Sequence, residues 1–242
     1  MDESTEHYKK INFIDGIAWI NLDRSTERKK HMKNVLKNID VPKMRISAID
    51  GKNEDVTTYF STIDQKKQTL NYLEIACTLS HLKTINQLKT KKGDYFLVLE
   101  DDVVFDNMKY IPYDLKTIIQ CCPEFDVLQL YKTNYYPFHF VDVYQNWADQ
   151  PSWGACAYII SRSGINKITE KFKFENNILQ NKLSECCVSE NVIYNNSNTY
   201  TYKYNCVEGL EQESIIHNEK INIHKASNQY NKNVIFNDFG IN

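Results

Sequence analysis

The chain has 242 residues, 42% of them hydrophobic and 25% charged, with a formal net charge of -2 at pH 7. That length buries one sizeable core, and a near-neutral balance lacks the positive field that would draw a chain to nucleic acid or an anionic membrane, so neither is expected as a partner. No run approaches the roughly eighteen apolar residues that cross a bilayer, and the polar opening over residues 1–10 lacks the apolar stretch of a secretory leader, which sets the expectation of a soluble, cytoplasmic protein with no membrane span.

Residues 16–22, GIAWINL, are apolar and rich in strand formers, and they end in Asp23-Arg24-Ser25, a cluster of turn and cap residues. This is the pattern of a buried first strand. Past Ser25, Met32, Val35, Leu36 and Ile39 keep the three-and-four spacing of an amphipathic helix, with Lys29, Lys30 and Lys33 on its other face and a stop before Pro42. A second strand is expected over residues 43–49, closed by Asp50-Gly51, and residues 52–68 read as a polar loop with one weak helical turn. Over residues 73–88 a helix carries the stripe Ile75, Leu79, Leu82, Ile85 and Leu88, while Glu74, Thr78 and His81 line a neighbouring face. Gly93-Asp94 closes that region. Residues 95–99 are continuously apolar, as in a strand buried on both faces, and run straight into Glu100-Asp101-Asp102. Beyond them lie a short helix over residues 115–122, a buried strand over 125–131, a third apolar run over 154–160 ending at Ser161, and an asparagine-rich turn over 191–198.

Strands alternating with helices predict an α/β domain with a mostly parallel central sheet and flanking helices. In such sheets ligands collect beyond the carboxyl ends of the strands, where Asp23 and the acidic triplet fall. Without a repeat or a Gly/Ser linker, the expected division is a polar N-terminal tail over 1–12, one domain over 13–225 and a C-terminal tail over 226–242. The seven cysteines, Cys77, Cys121, Cys122, Cys156, Cys186, Cys187 and Cys206, show no Cys-x-x-Cys spacing. No zinc site is expected, and all seven read as small apolar thiols.

Three adjacent carboxylates repel one another unless something positive sits between them. Magnesium or manganese would serve, since such ions take oxygen ligands from one or two carboxylates plus substrate phosphates. Glu100 and Asp102 are the natural pair, and an acidic solvated turn is the alternative. Arg24 and Arg28, four residues apart at the opening of the first helix, either hold a diphosphate or uridine near a helix N-terminus, or Arg28 pairs with Asp23 or Glu27 on the surface. His81, next to Ser80, either contacts a donor sugar or holds a neighbouring loop. Tyr135, Tyr136, Phe138, Phe140, Tyr144 and Trp147 supply either stacking surfaces for sugar rings or core packing. Neither a Gly-x-Gly-x-x-Gly fingerprint nor a Gly-x-x-x-x-Gly-Lys loop is present, which counts against other nucleotide-dependent α/β enzymes.

Four blocks recur in a specific order: Ile20-Asn21-Leu22-Asp23-Arg24-Ser25-x-x-Arg28; residues 74–82 with Cys77, Ser80 and His81; residues 96–105 around Leu99-Glu100-Asp101-Asp102; and residues 154–161 with Gly164. Together they resemble glycosyltransferase family 25, which includes bacterial lipooligosaccharide transferases and the procollagen galactosyltransferases, over residues 17–217. The resemblance implies a GT-A type fold, a UDP-sugar donor carrying galactose or glucose, a manganese or magnesium ion, and inversion at the anomeric carbon. It places Asn21, Asp23, Arg24, Arg28, Ser80, His81, Asp101, Trp153 and Gly154 on the donor side, and Glu100, Asp102 and the late-chain His217 at the metal. Gln212, Ser214 and His217 resemble the family's closing motif. Glu190 is the implied general base, because Ser189-Glu190, Tyr194 and residues 199–204 look like the family's late segment, and Glu185 is the fallback. The chain departs from the family at Glu190, where Asp is usual, at Ala76 for Gly and at Ile165 for Ala. The acceptor would be a hydroxyl on a glycan, a lipid-linked oligosaccharide or a protein. The rival expectation is a catalytically inactive carbohydrate-binding or scaffold domain that keeps the fold.

Overall fold

The computed structural model of the chain describes residues 3–59, 71–133, 142–175, 178–180, 183, 188–210 and 221–241. A 3-10 helix (Glu3–Lys10) leads into β1 (Gly16–Asn21), α1 (Thr26–Leu36), β2 (Lys43–Ser47), a 3-10 turn (Val56–Tyr59), α2 (Tyr72–Leu88) and β3 (Tyr95–Leu99). There follow β4 (Val103–Val104), α3 (Leu115–Cys121), β5 (Val127–Gln129), β6 (Tyr144–Asn146), β7 (Ala157–Ser161) and α4 (Arg162–Lys171). The last part holds β8 (Phe174–Glu175), β9 (Ile178–Leu179), α5 (Ser189–Tyr194), β10 (Thr199–Tyr202), β11 (Glu208–Gly209) and α6 (Ile221–Phe239).

Seven strands form one sheet in the order β2-β1-β3-β7-β5-β10-β6. β1 pairs in parallel with β2 and β3, and β5 with β10. β7 runs antiparallel between β3 and β5, and β6 is an antiparallel edge. Five strands thus share one direction, the mostly parallel α/β arrangement expected from the sequence and consistent with a GT-A type fold. The period-two alternation of each strand divides the core. Trp19, Leu97, Leu99 and Ile159 face one layer, built with Met32 and Leu36 of α1 and Ile118 of α3. Ala18, Phe96, Val98 and Ile160 face the other, built with Leu79, Leu82 and Ile85 of α2, Ile165 of α4 and Ile193 of α5. Helices on both faces explain why β1 and β7 are buried along their whole length. Among the described residues no helix is long and apolar enough to cross a membrane.

Side chains cap several of these helices. The Asn71 side chain accepts from the Leu73 N–H ahead of α2, and that of Ser161 accepts from the Gly164 N–H ahead of α4.

Three sequence expectations change. The asparagine-rich patch is not all turn: α5 takes in Asn191, because Val192, Ile193 and Tyr194 bury their side chains. The residues after 225 are not a tail but most of α6, which buries Ile235 in the first core layer and is tied down by an ion pair from Lys203 to Asp238, 2.6 Å. The stretch before residue 13 also packs, burying Ile11 and sending Lys10 Nζ to the carbonyls of Met108 (2.9 Å) and Ile111 (2.6 Å). Both ends hold too few apolar residues at regular spacing to announce a buried face, so only packing against distant elements shows it.

Candidate active site

Parallel strands end together, so the carboxyl ends of β1 and β3 bring Asn21 and Glu100-Asp101-Asp102 to one edge of the sheet. Because β7 runs the other way, its entering segment, Trp153 to Cys156, arrives at the same edge, and the Glu100 N–H donates to the Cys156 carbonyl at 2.9 Å. The first turns of α2 cover this edge with Cys77, Ser80 and His81. α5 approaches it with Glu190.

Asp101 and Asp102 share Arg28, whereas Glu100 points to a different set of side chains. Asp101 accepts from Asn21 Nδ2 at 2.5 Å and from an Arg28 guanidinium nitrogen at 3.0 Å. The same nitrogen lies 3.1 Å from Asp102. Glu100 turns the other way, with Oε1 3.2 Å from His81 Nε2 and 3.9 Å from Cys77 Sγ. Burial raises the Asp102 carboxyl to about 7, Glu100 adds to the rise and Arg28 opposes it. Burial likewise pushes the Cys77 thiol well above its ordinary value.

The two arginines do not share a helix face. α1 begins only at Thr26, so Arg24 lies outside it and binds Asp50 through Nε at 2.6 Å, while Arg28 reaches the triplet rather than Asp23 or Glu27. Asp23 is held by Arg45 (2.5 Å) and Ser47 (2.7 Å), and these hydrogen bonds, Ser47 first, keep its carboxyl below the ordinary range. Ser80 is a loop fastener: its hydroxyl donates to the Ala76 carbonyl at 2.7 Å and accepts from the Ile49 N–H at 2.9 Å. His81 is fully buried between Glu100 and Tyr158, whose hydroxyl lies 3.2 Å from Nδ1.

A pocket of about 120 Å³ opens here, its wall including Arg24, Arg28, Asp50, His81, Glu100 and Asp102. Gly51 forms part of the lip, where a Cβ would lie 2.8 Å from the Tyr72 carbonyl oxygen and 2.9 Å from the Ala76 methyl. The small residues at 51 and 76 therefore let the loop after β2 close on α2.

Glu190 belongs to the same assembly. Its Oε1 accepts the Gly154 N–H at 2.8 Å, and burial raises its carboxyl above the ordinary value against the pull of backbone N–H donors. The Gly154 carbonyl in turn accepts from Gln129 Nε2 at 2.8 Å and from the Tyr194 hydroxyl at 3.1 Å. Beside this clamped peptide, Trp153 leaves 48% of its surface exposed.

Of the residues singled out from sequence, Asn21, Arg24, Arg28, Ser80, His81, Glu100, Asp101, Asp102, Trp153, Gly154 and Glu190 gather at this edge, whereas Asp23 sits on its outer side against Arg45. Glu185 and His217 lie outside the described residues, as do Tyr135, Tyr136, Phe138, Phe140, Gln212 and Ser214. Sequence reasoning passed over Arg45, Asp50 and Tyr158, which act through cross-element pairings that no local pattern signals.

Residues 15–177 match the family model described as glycosyltransferase family 25 (LPS biosynthesis protein). A protein of Drosophila pseudoobscura pseudoobscura, described as a glycosyltransferase 25 family member, is 31% identical over 104 residues, covering 38% of this chain and 16% of that protein. The matched part of the chain thus spans less than a fifth of that relative's length.

Proposed function

The chain belongs to glycosyltransferase family 25, and from that premise we propose that it transfers a hexose, galactose or glucose, from a UDP-sugar to a hydroxyl acceptor on a glycan, a lipid-linked oligosaccharide or a protein, with inversion at the anomeric carbon. One observation carries this reading: a pocket walled by Arg28, Glu100 and Asp102 stands at the same sheet edge as Glu190, a half-buried carboxylate held by a backbone N–H.

Arg28 supplies a fixed positive charge beside the donor phosphates while holding Asp101 and Asp102 in place. Glu100 and Asp102 present carboxylate oxygens to the pocket, the donor chemistry that manganese or magnesium selects. These two residues would hold the ion, which would neutralise charge on the departing diphosphate. Glu190 receives the proton of the acceptor hydroxyl. Its raised affinity for a proton suits it to that role, and the Gly154 N–H orients it. Trp153, exposed beside Gly154, offers a ring on which an acceptor sugar stacks.

The test is thermal unfolding with UDP, with manganese and with both. Ligand at about 100 times its dissociation constant stabilises a fold by roughly 2.7 kcal/mol. A shift that needs both ligands and disappears in Asp102→Ala supports the donor site. No shift with any nucleotide would move the assignment to a non-catalytic carbohydrate-binding domain.

A further inference from the structure

Cys77 and His81 stand four residues apart on α2, so one helical turn places both side chains on the same face. Glu100, arriving from the end of β3, meets them there. The imidazole Nε2 lies 3.2 Å from Glu100 Oε1 and the Cys77 Sγ 3.9 Å from that oxygen, and the three ligand atoms all fall within 4.8 Å of one another. Tetrahedral zinc, with bonds of about 2.3 Å to sulfur and about 2.0 to 2.1 Å to nitrogen or oxygen, has ligand-to-ligand edges of about 3.3 Å between nitrogen and oxygen and about 3.6 Å from either to sulfur. The two distances to Glu100 Oε1 match those lengths within a few tenths of an ångström.

We propose that Cys77, His81 and Glu100 form a site for a zinc-class ion, with the fourth coordination position open to the pocket. A thiolate and an imidazole beside one carboxylate select zinc over manganese or magnesium, which prefer oxygen throughout. The surroundings are those of a metal-binding histidine: its second nitrogen lies 3.2 Å from the buried Tyr158 hydroxyl, which sets the ring orientation. The Ser189 hydroxyl donates to Cys77 Sγ at 3.5 Å. Binding replaces the Cys77 S–H bond with a sulfur–metal bond and releases the proton to solvent. Cys-x-x-Cys spacing does not mark such a site, because its ligands come from a helix and a strand end.

Glu100 belongs both to this site and to the oxygen pair Glu100 and Asp102. Zinc bound here withdraws Glu100 from that pair, so zinc inhibits manganese-supported transfer. That consequence rests on the transferase reading; the site itself does not.

Cobalt(II) is the probe, because it adopts zinc's tetrahedral geometry and its bond to a thiolate gives an intense near-ultraviolet charge-transfer absorption. The whole chain, kept reduced without added thiol, is expected to develop this band with saturation at one equivalent, and zinc is expected to abolish it. Cys77→Ser should lose the band. Cys206→Ser, on the opposite core layer, should keep it. Tyr158→Phe removes only the hydroxyl beside the imidazole and should weaken cobalt binding about 10- to 100-fold with the band still present at saturation, which keeps the test decisive where Cys77→Ser does not fold. Absence of the band at millimolar cobalt, or its full persistence in Cys77→Ser, overturns the proposal. A cobalt band without any UDP-dependent stabilisation would retain the metal site and remove the donor reading, and the reverse result would do the opposite.

Discussion

Gly154 joins backbone conformation to the proposed chemistry, and Gly154→Ala separates the two. Its φ is +123°, a region closed to side chains with a Cβ. A Cβ built there would lie 2.9 Å from Tyr131 Cδ1 and 3.0 Å from the Tyr131 carbonyl oxygen, and Tyr131 is itself 3% exposed and unable to swing away. Holding alanine in such a backbone state costs about 1 to 3 kcal/mol, and crowding a packed neighbour adds about 1 to 3 kcal/mol. At about 2 to 4 °C per kcal/mol for a chain of this size, the variant should melt about 4 to 24 °C lower. Because the Gly154 N–H orients Glu190 and its carbonyl is held by Gln129 and Tyr194, turnover should fall more than donor affinity. Differential scanning fluorimetry with and without UDP and manganese reads the stability and the donor affinity, and a transfer assay reads the turnover. An unchanged melting temperature would show that the backbone at this position is not held where the structure puts it, and the account of Glu190 would go with it.

Glu190→Gln keeps the shape of the side chain and its acceptor for the Gly154 N–H while removing the basic oxygen. UDP-dependent stabilisation should survive and transfer should drop by about 100-fold or more; full turnover would assign the base elsewhere, with Glu185 next to be tested. A second experiment concerns Lys132, whose Nζ donates to the carbonyls of Tyr202 and Lys203 and to Asn205 Oδ1 while the residue is 1% exposed. Burial lowers its proton affinity to about 7, against an ordinary value of 10.5. Between those values the unfolded chain binds the proton and the folded chain does not, so this group makes stability rise with pH across that window, by at most about 1.4 kcal/mol per pH unit. The penalty is full below the lower value and gone above the upper one. Urea titrations of the wild type and Lys132→Met at several pH values should diverge in this sense, and a pH-independent difference would contradict it.

The buried strands β1 and β3 were legible as continuous apolar runs, and α2 as a stripe at helical spacing, because burial on two faces or one leaves a local periodic record. The position of the acidic triplet beyond a strand end followed from the same runs. No local pattern records strand order, and the order decided the site: β7 inserts antiparallel between β3 and β5, which carries Trp153 and Gly154 to the edge already occupied by Glu100. Ion-pair choice was equally hidden. Arg28 has acidic residues close by in the chain at Asp23 and Glu27, yet it binds Asp101 and Asp102, more than seventy residues away. The packing of α6 and the meeting of Cys77 and His81 with Glu100 are of the same kind. Periodicity is a property of consecutive residues and survives in the sequence, whereas a contact between elements depends on how all the layers pack at once, and only the folded chain holds that information.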